Sequence, residues 1–250
     1  TKITLTHLEK YIKALNKHNI HFTYLLNSSC LANREFDRRW QKKLFKFLNK
    51  LKDINVTRLT VSTPLLFKII KKNFPNFYLK VGIFAQIDTL KRAKYWQNLG
   101  ADEITLESFS INRDFKKLKS IRNSVNCSLQ LIVNHPCLPN CPLQYYHQNG
   151  FAHASNKSSA LFIDYCFLNC THQRISDPSL FIKSQWIRPE DLNRYSDLGY
   201  KNFKILERSI PSAQLLKRLR AYASQISPPN FANILLPTGF PETEKPKLSS

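Results

Sequence analysis

Residues 78–107, YLKVGIFAQIDTLKRAKYWQNLGADEITLE, contain a complete strand–helix–strand unit. The run 78–85 is rich in residues typical of strands. Residues 88–100 follow as a helix that ends at Gly100, and residues 102–107 return to a strand pattern. Because two strands joined by a helix in this way are parallel, the unit predicts a parallel α/β fold.

The same alternation extends through most of the chain, after a leading helix around residues 8–15. Further strand-like runs lie at residues 21–27, 56–62, 127–134 and 202–207. At least six such units fit either a TIM-like (β/α) barrel or an open doubly wound sheet. No G-x-G-x-x-G motif follows the first strand, which removes the usual signature of a dinucleotide-binding sheet. We therefore predict an α/β fold of the TIM-like barrel type, complete or incomplete, with parallel strands.

Length and composition suggest the domain organisation. A chain of 250 residues with 42% hydrophobic residues is long enough for one large core. We expect residues 1–227 to form a single barrel-like domain, and residues 228–250, rich in Pro, Lys and Ser, to form a loose C-terminal tail. No apolar run approaches the ~18–20 residues that span a bilayer, and no signal-peptide pattern opens the chain. We expect a cytoplasmic protein without a membrane span.

The chain is strongly basic, with 38 Lys and Arg against 17 Asp and Glu and a net charge of +21. Such a charge favours a polyanionic partner, most simply RNA, because each neutralised phosphate releases a counterion. The alternative is that the lysines coat the solvated faces of helices, as in residues 37–53.

Four of the six cysteines form two C-x-x-x-C pairs, CLPNC at 137–141 and CFLNC at 166–170. In the cytoplasm clustered thiols are typical of metal ligands or catalysts. Four thiolates suit zinc or an iron–sulfur cluster, and the C-x-x-x-C spacing, wider than the C-x-x-C of structural zinc sites, favours the cluster. His147 and His153 could instead supply zinc ligands or act as acids or bases. Cys127 opens an apolar strand and is expected to fill the core.

In a barrel the functional loops follow the C-terminal ends of the strands. Cys30 follows the first predicted strand, Glu107 ends the fourth, and Cys137 follows the fifth. We therefore expect these three residues to lie at one face of the barrel.

Several longer motifs resemble peptidase family U32, the collagenase-like proteases. They are VNHPCLPNCPLQYYHQNGFAHAS (133–155), DYCFLNC (164–170) and WIRPEDLNRYSDLGYKNFKILERS (186–209). YLLNSSCLANREF (24–36) and FAQIDTLKRAKYWQNLGADEITLE (84–107) are similar to that family as well, so the resemblance covers nearly the whole chain.

The resemblance implies a barrel-like core and, as in several members, a 4Fe–4S cluster held by four cysteines. By position Cys137, Cys166 and Cys170 match ligands, and either Cys30 or Cys141 is the fourth. The resemblance further implies oxygen-independent hydroxylation of transfer or ribosomal RNA, or of an aromatic quinone precursor. The chain would act as an enzyme or as a subunit with a paralogous partner. The alternatives are a peptidase, as the family name says, and an RNA-binding module stabilised by zinc.

Other polar and aromatic residues are candidates for substrate contacts. Glu107 could orient a substrate or act as an acid or base, or could pair with a nearby lysine. Arg188 precedes two carboxylates at the start of a helix, where carboxylates interact favourably with the helix dipole. Arg188 is either part of this structural arrangement or binds an anionic group of a substrate. Tyr145 and Tyr146 offer surfaces on which bases could stack.

Overall fold

The structure is a computed structural model that describes residues 3–156, 165–206, 210–228 and 232–235. Its strands are β1 (Thr23–Leu26), β2 (Arg58–Val61), β3 (Tyr78–Val81), β4 (Glu103–Thr105), β5 (Ser128–Ile132) and β6 (Asn202–Lys204). The described α-helices are α1 (Leu5–Asn16), α2 (Arg38–Asp53), α3 (Pro64–Asn73), α4 (Leu90–Asn98), α5 (Phe115–Arg122), α6 (Gln144–Asn156), α7 (Tyr165–Ser176), α8 (Ser179–Lys183), α9 (Leu192–Asp197), α10 (Ser212–Ser224) and α11 (Ala232–Leu235). None of these helices is both long and apolar enough to cross a membrane.

The strands form one sheet in which every neighbouring pair is parallel and the strand order follows the sequence, from β1 to β6. Helices flank this sheet, which curls into a half-barrel. A doubly wound sheet would reverse its strand order at a switch point, and the six described strands show no reversal. The fold is an incomplete TIM-like barrel, which confirms the predicted class.

The two faces of the sheet differ because successive side chains on a strand point to opposite sides. On one face Val61, Val81 and Ile104 are aligned in register and fully buried. They belong to one hydrophobic cluster with apolar residues of the surrounding helices, and each buried side chain of this size contributes about 1.5–3 kcal/mol. On the other face Lys80 and Glu103 are aligned in register and form an ion pair of 3.0 Å.

The structure differs from the sequence expectation in two respects. The strands are shorter than predicted, and β4 ends at Thr105, so Glu107 lies two residues beyond the strand rather than at its end. The cysteine-rich region, to which no elements were assigned from sequence, holds α6, α7 and α8. Large apolar residues of these helices, such as Tyr146 and Leu168, are exposed, so the sequence lacks the regular stripe that marks a buried helix face.

Within residues 228–250, which the sequence predicted as a loose tail, the structure describes residue 228 and α11. Ile234 and Leu235 of α11 are buried in the main core. The remaining residues of that segment lie outside the described part of the chain.

Candidate metal centre

The candidate residues follow strands whose carboxyl ends meet at one edge of the sheet. Cys30 comes four residues after β1, and Cys137 comes five residues after β5. Glu107 follows β4 in the same way. Because all strands are parallel, the topology places these three residues at the same end of the sheet, where the functional loops of barrel proteins lie.

The first cysteine pair stands on a short loop that is anchored to the loop after β4. The main-chain N–H of Asn140 donates a hydrogen bond to the carbonyl oxygen of Phe109 at 3.1 Å. Asn140 has a φ of 49°, in the left-handed region that asparagine tolerates better than most residues. This turn lies between Cys137 and Cys141, so both cysteines are carried by the anchored loop.

The second pair stands on α7. Cys166 and Cys170 are four residues apart, which places their side chains on one face of the helix, a turn from each other. Cys166 is buried, and Cys170 donates a hydrogen bond from its Sγ to the carbonyl oxygen of Phe167 at 3.4 Å. α7 therefore carries both sulfur atoms on the same face of the helix.

The two pairs meet at a cavity of about 180 Å³. Cys141 from the loop and Cys166 and Cys170 from α7 line it, and Leu138 and Leu180 contribute to its apolar wall. A water molecule takes up about 30 Å³ in the liquid, so this cavity has room for a group of several heavy atoms.

Cys137 stands beside the other cysteines and contacts a histidine. Its Sγ lies 3.1 Å from Nε2 of His135, whose Nδ1 lies 2.6 Å from Oγ of Ser108. The ring of His135 packs edge-to-face against Phe109, with 4.6 Å between the ring centroids. Cys137 also packs against a small apolar cluster that includes Ile132. Its position is therefore defined on several sides.

Burial determines the protonation states of Cys137 and His135. Desolvation raises the pKa of the Cys137 thiol to about 12, although the Arg174 guanidinium opposes the shift. Charges on Cys170 and Cys141 raise this pKa further, so the three sulfur atoms are close enough to interact. Desolvation lowers the pKa of His135 to about 4, and nearby positive charges, Arg174 first, add to that shift. Both side chains are therefore neutral at neutral pH in the metal-free protein.

Arg174 links α7 to the loop after β5. Its Nη2 donates a hydrogen bond to the carbonyl oxygen of Pro136, and its Nη1 lies 3.7 Å from Sγ of Cys170. Its guanidinium also lies over the ring of Phe181, 5.2 Å from the centroid. One positive charge therefore sits between the two cysteine pairs, where it would stabilise thiolates.

The donor set fits a thiolate-bound metal group. Cys141, Cys166 and Cys170 line the cavity, and Cys137 lies close enough to Cys141 and Cys170 to interact with them. Together they supply four sulfur atoms, which is the number that a 4Fe–4S cluster or a tetrahedral zinc ion takes. In the part of the chain that the structure describes, no three His, Cys, Asp or Glu side chains already surround a common metal position.

Cys30 is not among the described residues that line this cavity. Its Sγ accepts a hydrogen bond from the main-chain N–H of Ala32 at 3.3 Å. Its loop is tied to α6, because Oγ of Ser29 donates to Oδ1 of Asn149 at 2.8 Å. The structure groups Cys141, rather than Cys30, with the cysteines of α7.

The three predicted acid or base residues lie in different surroundings. Glu107 is 3% exposed, and its carboxylate accepts hydrogen bonds from the main-chain N–H groups of Phe109 and Ser110 and from the Ser110 hydroxyl. Desolvation nevertheless raises the pKa of Glu107. Its oxygens thus hold the loop after β4 together. His147 is half-buried and stacks on an aromatic ring of α6, whereas His153 is exposed in the last turn of that helix.

The predicted substrate-binding residues are exposed. Tyr145 and Tyr146 of α6 keep 56% and 65% of their surface in solvent, and Tyr145 lies near enough to Arg92 of α4 to interact electrostatically with it. Arg188 forms an ion pair with Asp191 at 2.8 Å, so its guanidinium is engaged by its own loop.

Sequence reasoning did not single out His135 or Arg174. The signal for His135 was present, since it stands two residues before Cys137 in the motif NHPC. Arg174 follows Cys170 by four residues, and this spacing becomes meaningful only once the segment is known to be a helix.

The fold and the site together define a class: an incomplete parallel barrel with two cysteine pairs beyond the carboxyl end of its sheet. This chain belongs to peptidase family U32, because the sequence model of that family matches residues 1–137. The match confirms the resemblance drawn from the motifs. It extends through β5 and stops at Cys137.

Two comparisons place the chain among known proteins. It is 34% identical over 218 residues to the "Uncharacterized protease MJ1657" of Methanocaldococcus jannaschii, a match that covers 87% of this chain and 64% of that protein. The chain therefore spans less than two thirds of that relative's length. It is also similar to the solved structure of the U32 peptidase Mk0906, with a TM-score of 0.60 and 20% identity over 82% of this chain and 77% of that one. At this identity the similarity establishes the fold alone.

Proposed function

We propose that this protein is an iron–sulfur enzyme, or a subunit of one, that supports oxygen-independent hydroxylation. Its 4Fe–4S cluster would be held by Cys137, Cys141, Cys166 and Cys170. The observation that carries the proposal is the cavity of about 180 Å³ at which the two C-x-x-x-C pairs meet. No disulfide joins any of the six cysteines, all of which lie in the described part of the chain, and this supports the cytoplasm as the proposed location.

The surroundings of the cavity favour a cluster over a structural zinc ion. When bound, a cluster would supply one-electron transfer, with a potential that depends on burial and on hydrogen bonds to its sulfur atoms. Leu138 and Leu180 would exclude water from it. Arg174 would offset the negative charge of the thiolates, because its guanidinium lies within reach of both cysteine pairs.

RNA is the substrate class that we propose, with an aromatic or quinone precursor as the alternative. A net charge of +21 attracts phosphates. Tyr145 and Tyr146 expose aromatic rings at the start of α6, directly after the loop that carries Cys141. Unstacked bases bind to such rings, and Arg92 beside Tyr145 would add a cation to that surface. A paralogous partner subunit belongs to the proposal on the strength of the family resemblance alone.

Anaerobic purification followed by ultraviolet–visible spectroscopy and metal analysis tests the cluster. We expect broad absorption near ~400 nm that is lost in air, with about four iron and four sulfide ions per chain. Cys127→Ala serves as the matched control, because this cysteine packs against the main core and should not affect the iron content. A colourless protein with one zinc ion per chain would reject the cluster and favour the zinc-stabilised RNA-binding module.

A peptidase is the second candidate, and one contact favours it. Cys137 Sγ and His135 Nε2 are 3.1 Å apart, as in a nucleophile and its base. Against it, burial raises the pKa of Cys137 to about 12, so the thiol is protonated at neutral pH, unlike an activated cysteine. Assays of metal-free protein on gelatin and casein would decide: activity lost in Cys137→Ser and kept in Cys127→Ser would support a peptidase.

A further inference from the structure

We infer that His135 is a positioning residue that donates a hydrogen bond from Nε2 to the sulfur of Cys137 and thereby raises the reduction potential of the cluster. The inference rests on the proposed function, because it treats Cys137 as a cluster ligand. It adds a residue that the ligand set does not contain.

The direction of the hydrogen bond follows from the chemistry of the sulfur. The Nε2 of His135 lies 3.1 Å from the Sγ of Cys137. A cysteine that binds a metal is a thiolate, which accepts hydrogen bonds and has no hydrogen to donate. The proton of this contact must therefore be on Nε2.

The hydroxyl of Ser108 is a suitable partner for this tautomer on the other side of the ring. A neutral imidazole with its hydrogen on Nε2 has an acceptor at Nδ1. The Oγ of Ser108 lies 2.6 Å from that atom, and its hydroxyl can donate to it. Ser108 is 1% exposed and follows Glu107, whose carboxylate holds the next two main-chain N–H groups. Ser108, the donor to Nδ1, therefore lies on an ordered loop.

The reverse tautomer belongs to a cysteine without a metal. A neutral thiol would donate its hydrogen to Nε2, and His135 would then carry its proton on Nδ1 and donate to Ser108. The position of the ring proton therefore reports whether Cys137 is a ligand or a free thiol.

A hydrogen bond to a ligand sulfur stabilises the more negative, reduced cluster. Removing the donor should therefore shift the midpoint potential to a more negative value. His135→Gln places an amide N–H near the position of Nε2 and should keep a potential near the wild type. In His135→Asn the shorter side chain reaches only the position of Nδ1, so no donor lies near Cys137. This variant should therefore show the negative shift in midpoint potential.

The experiment compares these two variants with Ser108→Ala and with His172→Gln, an exposed histidine on α7 that serves as the control. Midpoint potentials are read by redox titration followed by electron paramagnetic resonance, with iron content measured on each sample. We expect wild type, His172→Gln and His135→Gln to have similar midpoint potentials. Ser108→Ala should have a lower midpoint potential, and His135→Asn should have the lowest. Nitrogen-15 resonance of the zinc-substituted protein should place the ring proton of His135 on Nε2.

The outcomes separate the two proposals. If wild type binds no iron, the proposed function and this inference both fall. If every variant keeps the cluster at the wild-type potential, or the zinc-bound protein carries the proton on Nδ1, the role of His135 alone is wrong. If both His135 variants lose the cluster, Ser108→Ala decides, and an unchanged potential there overturns the inference.

Discussion

Arg174 donates a hydrogen bond to the carbonyl oxygen of Pro136, across 38 residues of sequence. The same guanidinium lies 3.7 Å from the sulfur of Cys170, so a single side chain joins the helix of one cysteine pair to the loop of the other. Assembly of the candidate site therefore depends on where α7 lies against the loop after β5.

The Arg174 contact predicts the strength of metal retention. Arg174→Leu should lose iron to a chelator roughly tenfold faster or more, since a hydrogen bond from a charged group contributes about 1.5–3 kcal/mol. Arg174→Lys keeps the positive charge but lacks the planar guanidinium group. Its rate of iron loss should therefore lie between those of the wild type and Arg174→Leu. Arg194→Leu, at a side chain 71% exposed, is the control. Equal release rates in all four proteins would contradict the role of Arg174.

The cavity predicts which cysteine is the fourth ligand. Cys141→Ala should lose iron like Cys137→Ala, Cys166→Ala and Cys170→Ala, because three thiolates rarely retain a cluster. Cys30→Ala should keep its iron, since Cys30 neither lines the cavity nor is among the groups that act on Cys137. Iron analysis of anaerobic samples checks this, and the opposite result for Cys30 and Cys141 would reverse the assignment.

The charge and the exposed tyrosines predict RNA binding. Transfer-RNA affinity should fall steeply with salt, and Tyr145→Ala should cost about 1–3 kcal/mol if a base stacks there. Arg188→Ala should matter less, because Arg188 is already paired with Asp191. Fluorescence titrations at several salt concentrations measure both effects. A flat salt dependence would reject RNA as the partner.

The close approach of Gly82 to Ser62 predicts a coupled effect on stability. A Cβ on Gly82 would lie 2.6 Å from Ser62 Oγ and 3.0 Å from Thr60 Cγ2, so Gly82→Ala should destabilise by about 1–3 kcal/mol. The Ser62 hydroxyl is buried without a hydrogen-bond partner among the described residues, so Ser62→Ala alone should be nearly neutral. The double variant should recover part of the loss in urea unfolding. Strict additivity would argue against this contact.

Two helix starts predict different costs for removing a cap. Oδ1 of Asp114 accepts from the N–H of Lys117 at 3.0 Å, so Asp114→Ala should lower the free energy of unfolding by ~1 kcal/mol at neutral pH. Thr63 holds the equivalent position before α3 without a capping bond, and Thr63→Ala should cost less.

The Asp114 effect should also depend on pH. Hydrogen bonding to the N–H of Lys117 lowers the pKa of Asp114 below its ordinary value of 3.8. The folded state therefore binds this proton less readily than the unfolded state, and the stabilisation is present above 3.8 and lost as the pH falls through the lowered pKa. Urea unfolding on both sides of this range should show the wild type and Asp114→Ala converging in acid. A constant difference would rule out the capping interaction.

The sequence by itself determined the class of fold and the residue types of the site. Alternation of strand and helix patterns, as in residues 78–107, is a local property, and it was enough to predict parallel strands. The spacing of the two cysteine pairs likewise indicated a metal group before any contact was known.

The tertiary structure alone decided how those cysteines are grouped. Whether Cys30 or Cys141 shares a cavity with the cysteines of α7 depends on where that helix packs, and the exposed helices of this region carry no regular apolar stripe from which to predict it. The contact of His135 with Ser108 joins loops after two different strands, which are brought together by sheet pairing between β4 and β5. Such contacts arise from the packing of distant segments, and no local pattern of residues specifies them.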